Sequence, residues 1–157
     1  MVKDNLIMHK KILLVEDEAI IAMDTVSILE SFGCIVVGIA SSGEKAIELA
    51  ESLMPDVVLM DIRIAGGLDG MDTANIILEK TVTQVIFVSS HIDVNKMNRL
   101  KLSERCLSVE KPFQKADLCS ALIVSLTSRG FQKAPNTKSS WSQEVPAMRM
   151  NHNWILL

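Results

Sequence analysis

The sequence predicts a doubly wound α/β domain built on a five-stranded parallel sheet. Two observations favour this fold class. Five short apolar runs, rich in Val, Ile and Leu, alternate along the chain with five segments of helix-forming residues. The runs are continuous rather than alternating, which is typical of strands buried on both faces. Such an alternation requires right-handed crossovers, which place helices on both faces of the sheet.

Most of the predicted strands are followed by polar residues. The run that follows Pro55 ends abruptly at Asp61, a carboxylate that the strand itself does not need. Open α/β sheets bind their ligands at the carboxyl ends of the strands, so Asp61 is a candidate site residue. We predict strands at residues 11–15, 34–39, 56–61, 84–88 and 106–109.

Caps and helix breakers set the predicted helix boundaries. Ser41 and Glu44 have the spacing of a capping box, so Ser41 is predicted to cap the second helix. Pro55 prevents that helix from continuing, and Gly33 occupies the position expected after the first helix. We predict helices at residues 18–32, 42–53, about 71–78, 93–103 and about 115–128.

Composition excludes several protein classes. Hydrophobic residues make up 48% of the 157 residues, charged residues 22%, and the net charge is −3, which gives no reason to expect nucleic-acid binding. Cys34, Cys106 and Cys119 are widely spaced in apolar runs, so we expect reduced, buried thiols rather than disulfides or a metal site. No signal peptide or membrane-spanning run is recognisable, so we expect a soluble, cytoplasmic protein without a membrane partner.

The chain is predicted to form one domain over residues 1–128, with its core at about 9–128. The composition changes after Ser128, where two of the four prolines and both tryptophans lie. Residues 129–157 are too short and too poor in periodicity for a second domain. We therefore interpret them as a linker-like extension with an apolar end at 154–157.

Polar residues at successive strand ends are expected to meet at one edge of the sheet. Converging carboxylates resist joint ionisation, and Mg²⁺ relieves that penalty with the oxygen ligands that it prefers. An ammonium and a hydroxyl suit phosphoryl oxygens, and a carboxylate beside them can attack phosphorus to give an acyl phosphate. The residues in question are Glu16, Asp17, Asp61, Ser89 and Lys111, with Ser90 as an alternative to Ser89.

Five segments, in order and spacing, resemble one known family. They are Val-Glu-Asp-Glu at 15–18, Leu-Met-Asp-Ile-Arg at 59–63, the Gly-Gly-Leu-Asp-Gly that follows, Val-Ile-Phe-Val-Ser-Ser at 85–90 and Lys-Pro-Phe at 111–113. Together they are similar to the receiver domains of two-component response regulators, over about residues 9–128. The resemblance implies a flavodoxin-like sheet of strand order 2-1-3-4-5.

The resemblance also implies roles for the site residues. Asp61 would be the phosphoacceptor, receiving the phosphoryl group from a histidine kinase or a histidine phosphotransfer protein. Ser89 and Lys111 would contact that group, and the Lys111–Pro112 bond would be cis. The implied ligands of Mg²⁺ (or Mn²⁺) are Glu16, Asp17, Asp61 and the backbone carbonyl of Arg63.

Three positions are specific to this chain. Arg63 and His91, two residues after Asp61 and Ser89, occupy positions that influence the lifetime of the phosphoryl group in the family. Ser108 stands where the family often has an aromatic residue whose rotamer reports phosphorylation, so an aromatic switch is not expected here.

The face formed by the fourth helix, the last strand and the last helix is a common output and dimer surface in the family.

The sequence therefore predicts a phosphorylation-dependent signalling switch rather than an enzyme. A degenerate receiver that binds partners without phosphorylation is the alternative, favoured by Ser108 alone. Arg63 replaces the second aspartate that aspartyl-phosphate hydrolases often need, and the acids at 16–18 have the wrong charge for a flavin phosphate loop. Nothing after Ser128 indicates a helix-turn-helix motif.

Overall fold

A computed structural model describes residues 4–91, 93–98, 103–128 and 154–156. Strands and helices alternate along the domain, as the sequence predicts. The strands are β1 (Lys11–Val15), β2 (Ile35–Ala40), β3 (Val57–Asp61), β4 (Gln84–Ser89), β5 (Cys106–Glu110) and β6 (Trp154–Leu156). The helices are α1 (Ala19–Ser31), α2 (Gly43–Leu53), α3 (Gly70–Lys80), α4 (Val94–Met97) and α5 (Lys115–Ser128).

In the described part of the chain the strands form one sheet of order β2-β1-β3-β4-β5-β6. The first five strands are parallel, which confirms the predicted five-stranded sheet and its order. β6 is an addition that the sequence did not predict, and it pairs antiparallel with β5. The predicted linker-like residues 129–153 and the terminal Leu157 lie outside the described residues.

Both faces of the sheet are covered, because successive residues of a strand point to opposite faces. In β1, Leu13 and Val15 join a core under α2 and α3, whereas Ile12 and Leu14 join a second core under α1 and α5. None of these four side chains is more than 4% exposed. The continuous apolar runs in the sequence reflect this double burial.

The start of α2 differs from the prediction by one residue. Ser42, not Ser41, is the N-cap, and its hydroxyl accepts a hydrogen bond from the Lys45 amide at 3.3 Å. The predicted capping box with Glu44 is therefore wrong, because Glu44 falls in the first turn and not at the third helical position. The backbone of Ser42 also pairs with Ala65, which places the start of α2 against the loop after β3.

Of the fourth predicted helix, at 93–103, the described residues show helical structure at Val94–Met97. α4 forms a single turn, and the Asp93 carboxylate accepts hydrogen bonds from the Asn95 and Lys96 amides at 3.0 and 3.2 Å. Residues 99–102 lie outside the described part, and Ser103–Arg105 form a 3-10 turn rather than the end of an α-helix.

The cysteines are free thiols. Cys34 and Cys106 are buried, as predicted, and Cys119 is partly buried. Burial raises the pKa of Cys34 to about 11 and that of Cys106 to about 12, so both thiols keep their protons at neutral pH. Within the described residues, no helix has the length and apolar character needed to cross a membrane.

Candidate functional site

The register of the parallel strands brings their carboxyl ends to one edge of the sheet. Val15 lies opposite Met60, Asp61 lies opposite Val88, and Ser89 lies opposite Glu110. The chain turns away from the sheet directly after each of these strand ends. The residues that the sequence singled out therefore meet at one edge: Glu16, Asp17, Asp61, Ser89 and Lys111.

Lys111 links two of the acidic residues. Its Nζ atom lies 3.0 Å from Oδ2 of Asp61 and 3.5 Å from Oε2 of Glu16. The exposed fractions of the three side chains are 25% for Lys111, 13% for Asp61 and 5% for Glu16. The ammonium group thus lies between two carboxylates in a place where water screens their charges only partly.

Burial and charge shift two of these groups in the same direction. Burial raises the pKa of Glu16, and the hydrogen bond from the Glu18 amide and the charge of Lys111 only partly oppose it. Burial by itself lowers the pKa of Lys111, but hydrogen bonding to Asp61 and the charges of Asp61 and Glu16 outweigh it and raise the pKa. Lys111 is consequently held in its charged form.

An acidic group lies at the end of β1. Oxygen atoms from the carboxylates of Glu16, Asp17 and Glu18 lie within 4.8 Å of one another. Glu16 is buried, whereas Asp17 and Glu18 are exposed. Such a set of hard oxygen donors fits Mg²⁺, which is bound through one or two carboxylates and keeps several waters. Glu18 belongs to the acidic run seen in the sequence but was not among the predicted ligands.

Hydrogen bonds connect Asp61 and its neighbour Ile62 to the loop and helix that follow. Oδ1 of Asp61 accepts a hydrogen bond from the Arg63 amide at 3.0 Å, and the Gly70 amide donates to the Ile62 carbonyl at 2.9 Å. A Cβ atom on Gly70 would overlap the Asp61 carbonyl oxygen and lie 2.6 Å from the Ile62 Cα. The absence of a side chain at Gly70 therefore allows α3 to start directly behind Asp61.

Ser89 and Ser90 have different environments. Ser89 is 2% exposed at the end of β4, whereas Ser90 is exposed. The hydroxyl of Ser89 accepts a long hydrogen bond of 3.5 Å from the His91 amide, and its carbonyl accepts one of 2.8 Å from the Lys111 amide. Ser89, rather than Ser90, is thus connected to Lys111.

A cleft of about 520 Å³ lies beside this edge, between the loops that follow β3 and β4. Arg63 and His91, the two predicted lifetime-modulating residues, are among its lining residues, and both side chains are exposed. Asp69, Asp93 and Lys96, which sequence reasoning did not select as site residues, also line the cleft. These three residues meet only because the loops after β3 and β4 face each other, and the sequence does not show this arrangement.

Two further expectations concern β5 and the loop after it. The Lys111–Pro112 peptide is cis, as the resemblance implies. Ser108 is fully buried in the middle of β5, opposite Phe87 of β4. A small, buried serine thus occupies the position where the family often carries an aromatic side chain.

Comparison with known proteins agrees with this geometry. The family model described as the response regulator receiver domain matches residues 12–123. The transcriptional regulatory protein PdtaR from Mycobacterium tuberculosis is 31% identical over 118 residues, which cover 75% of this chain and 57% of that protein. The phyllosphere-induced regulator PhyR from Methylorubrum extorquens is 33% identical over 123 residues, or 76% of this chain and 44% of PhyR. The chain thus spans about half the length of these two relatives.

Solved structures agree with the sheet order. The signal receiver domain of a modulated diguanylate cyclase from Desulfovibrio desulfuricans G20 superposes with a TM-score of 0.71 at 29% identity. The superposition covers 80% of this chain and 99% of that domain. The family match extends from β1 into α5, and the strand ends that carry the acidic group, Asp61, Ser89 and Lys111 lie inside it. The chain therefore belongs to the response regulator receiver domain family of two-component signalling.

Proposed function

We propose that this chain is a phosphorylation-dependent switch in which Asp61 accepts a phosphoryl group from a histidine kinase or a histidine phosphotransfer protein. The observation that carries the proposal is the contact between Lys111 and Asp61, 3.0 Å between Nζ and Oδ2, at an edge that also holds Glu16 and Ser89. A carboxylate beside a fixed ammonium has the surroundings that phosphoryl transfer requires, namely positioning and charge neutralisation.

In the proposed reaction, the Asp61 carboxylate attacks the phosphorus atom of a phosphohistidine. The bond between phosphorus and the histidine nitrogen breaks, and a bond between phosphorus and a carboxylate oxygen of Asp61 forms. Lys111, already charged and within reach of Oδ2, then neutralises a phosphoryl oxygen. The Ser89 hydroxyl would donate a hydrogen bond to a second phosphoryl oxygen.

The acidic group at the end of β1 fits a divalent cation, Mg²⁺ or Mn²⁺. Glu16, Asp17, Asp61 and the backbone carbonyl of Arg63 would hold it, and the position of the Glu18 carboxylate adds that residue to the candidates. Once bound, the cation would offset the repulsion among the carboxylates and the negative charge of the phosphoryl oxygens. Burial disfavours the charged form of Glu16, so a neighbouring cation would favour its carboxylate.

Labelling by a small phosphodonor tests the proposal without a cognate kinase. We expect Mg²⁺-dependent labelling of the parent chain, no labelling of Asp61→Asn and full labelling of Asp24→Asn, which changes an exposed acid on α1. Intact mass and the alkali lability of the acyl phosphate provide two readouts. Unchanged labelling of Asp61→Asn would refute Asp61 as the acceptor.

The same experiment separates the proposal from its alternative. A degenerate receiver, which binds partners without phosphorylation, gains support from the buried Ser108, because an aromatic reporter is missing there. If this alternative holds, the unsubstituted chain will take up no label in the presence of Mg²⁺. We favour the switch because the acceptor, its counter-charge and the acidic group are all present at one edge.

Changed protein contacts would be the output of the switch. The face formed by α4, β5 and α5 remains the proposed surface for partners or for a second copy of the chain. Sizing the chain with and without Mg²⁺ and beryllofluoride, a mimic of the phosphoryl group, tests this part separately. An unchanged mass, together with normal labelling, would leave Asp61 as the acceptor and exclude homodimerisation as the output.

A further inference from the structure

We propose that the outer edge of β5 is a strand-docking surface occupied by the chain's own C-terminal strand, β6, which keeps a second copy of the chain from pairing there. β6 runs antiparallel to β5, with Leu107 opposite Leu156, Ser108 opposite Ile155 and Val109 opposite Trp154. This proposal does not depend on phosphorylation, and its test uses the unmodified chain.

The β5 edge is one that needs covering. β5 pairs with β4 over five consecutive positions with no irregularity, and four of its five residues are buried. Its sequence, Cys-Leu-Ser-Val-Glu, contains no proline and no charge before Glu110. A regular, apolar edge of this kind is a template on which another extended chain can pair.

The opposite edge of the sheet is protected in a different way. The pairing of β2 with β1 has a register irregularity between Ile12 and Leu13, and such irregularities bend a strand and weaken it as a template. The two outer residues Ile35 and Ile39 are half-exposed there. The pairing of β5 with β4 has no such irregularity. The β5 edge is instead covered by β6.

The length of the tail allows β6 to come from the same chain. α5 ends at Ser128, and residues 129–153, at about 3.3 Å each, could extend about 80 Å. A strand of five residues is only about 17 Å long, so the tail can return from the end of α5 to β5 without strain. Tethering also gives the tail strand an effective concentration on the order of millimolar, which favours it over a second copy at micromolar concentration.

Proline at position 155 tests the pairing directly. Ile155→Pro in the full chain removes an amide and fixes φ in the middle of β6, which a paired strand does not tolerate. Ile155→Val is the matched control, because it keeps a β-branched residue. At a concentration where Ile155→Pro is monomeric, we expect the outward-facing amides of β5 to exchange hydrogen at least about tenfold faster in this variant than in the parent or in Ile155→Val.

The oligomeric state is the second readout. We expect the parent and Ile155→Val to be monomers, and Ile155→Pro to reach the mass of a dimer as its concentration rises. Equal protection of β5 in the parent and in monomeric Ile155→Pro would overturn the proposal, and so would exposed β5 amides in a variant that stays monomeric at every concentration. A dimeric parent that becomes monomeric in Ile155→Pro would also overturn it, since the strand would then come from a second copy.

The amides of β1 and β3 serve as an internal control for folding. They are expected to keep their protection in both variants, because β1 and β3 lie inside the sheet and do not contact β6. If Ile155→Pro lost protection there too, Ile155→Gly would carry the same test with the same outcomes, because a glycine inside a strand weakens its pairing.

Discussion

Lys111 and Asp61 are 50 residues apart in the sequence, and their Nζ and Oδ2 atoms lie 3.0 Å apart at the edge of the sheet. Their side chains are 25% and 13% exposed, so the pair is partly shielded from water. The short distance follows from the order of the strands, because β3 and β5 both adjoin β4 and end at the same level.

The coupling between Lys111 and Asp61 should be measurable as stability. In the absence of divalent cations, Lys111→Met leaves Glu16 and Asp61 without their shared counter-charge, and Asp61→Asn removes one partner. We expect a double-mutant cycle in urea to give a favourable coupling energy of about 1.5–3 kcal/mol, the range for hydrogen bonds to charged groups. Additive effects of the two substitutions would show that the contact contributes nothing to stability.

Mg²⁺ should stabilise the folded chain, because a cation that binds only the folded state shifts the unfolding equilibrium. At a concentration ten times its dissociation constant, the expected gain is about 1.4 kcal/mol. We expect this gain to disappear in Asp17→Asn and to persist in Glu48→Gln, which changes an exposed acid paired with Lys45 on α2. Thermal unfolding in Mg²⁺ and in EDTA gives the measurement, and an equal gain in both variants would exclude Asp17 as a ligand.

Arg63 and His91 should control how long the phosphoryl group survives. Both are exposed and line the cleft beside Asp61, where they can shield or order the attacking water. We expect Arg63→Ala and His91→Ala to change the half-life of the acyl phosphate more than they change the initial rate of labelling. Lys45→Ala, on the exposed surface of α2, is the control, and equal half-lives in all four chains would contradict the prediction.

Gly70 should tolerate no side chain. Its Cβ would overlap the Asp61 carbonyl oxygen, whereas a Cβ on Gly67 would meet only the Glu44 carboxylate, at 3.3 Å. We expect Gly70→Ala to lower the free energy of unfolding by about 1–3 kcal/mol, the range for overpacking, and to slow labelling of the displaced Asp61. Gly67→Ala should change neither quantity appreciably, and similar behaviour of the two variants would disprove the steric argument.

The raised pKa of Cys34 should make the chain less stable in alkali. The folded chain holds the thiol proton up to about pH 11, whereas the unfolded chain releases it near its ordinary value of 9.0. Unfolding therefore releases a proton between these values, and stability falls as pH rises through them, by up to about 2.7 kcal/mol. Denaturant titrations between pH 9.0 and about 11 should give a larger loss for the parent than for Cys34→Ser, whose hydroxyl does not titrate there.

An equal alkaline loss in the two chains would refute this explanation. Contributions of other groups that titrate in the same interval cancel in the comparison, because Cys34→Ser leaves them in place. The Cys34 thiol donates to the Ile7 carbonyl at 3.4 Å, and a serine hydroxyl can replace that donor.

The wrong cap at Ser41 and the open choice between Ser89 and Ser90 have a common origin. Ser41 and Ser42 are equally good caps in a sequence, and the structure selects Ser42, whose backbone also pairs with Ala65. Ser89 and Ser90 are likewise equivalent until the register with β5 buries the first and exposes the second. Local propensity does not distinguish neighbours of the same type, whereas contacts with distant segments do.

The sequence by itself determined the alternation of strands and helices and the order of polar residues at the strand ends. A parallel sheet covered on both faces needs continuous apolar runs, and such runs are visible without coordinates. It also sufficed to make Asp61 a candidate, because a carboxylate at the end of a buried strand is not needed by the strand and lies where open α/β sheets bind ligands.

Only the tertiary structure decided which of these residues touch and what covers the sheet edges. The contact of Lys111 with Asp61 and the pairing of β6 with β5 join segments far apart in the chain, and the loop after β3 brings Gly70 against the backbone of Asp61. Their distances depend on strand register and on the path of the connecting loops. The sequence therefore makes Asp61 a candidate site residue, and the fold brings Lys111 and the other charged groups to it.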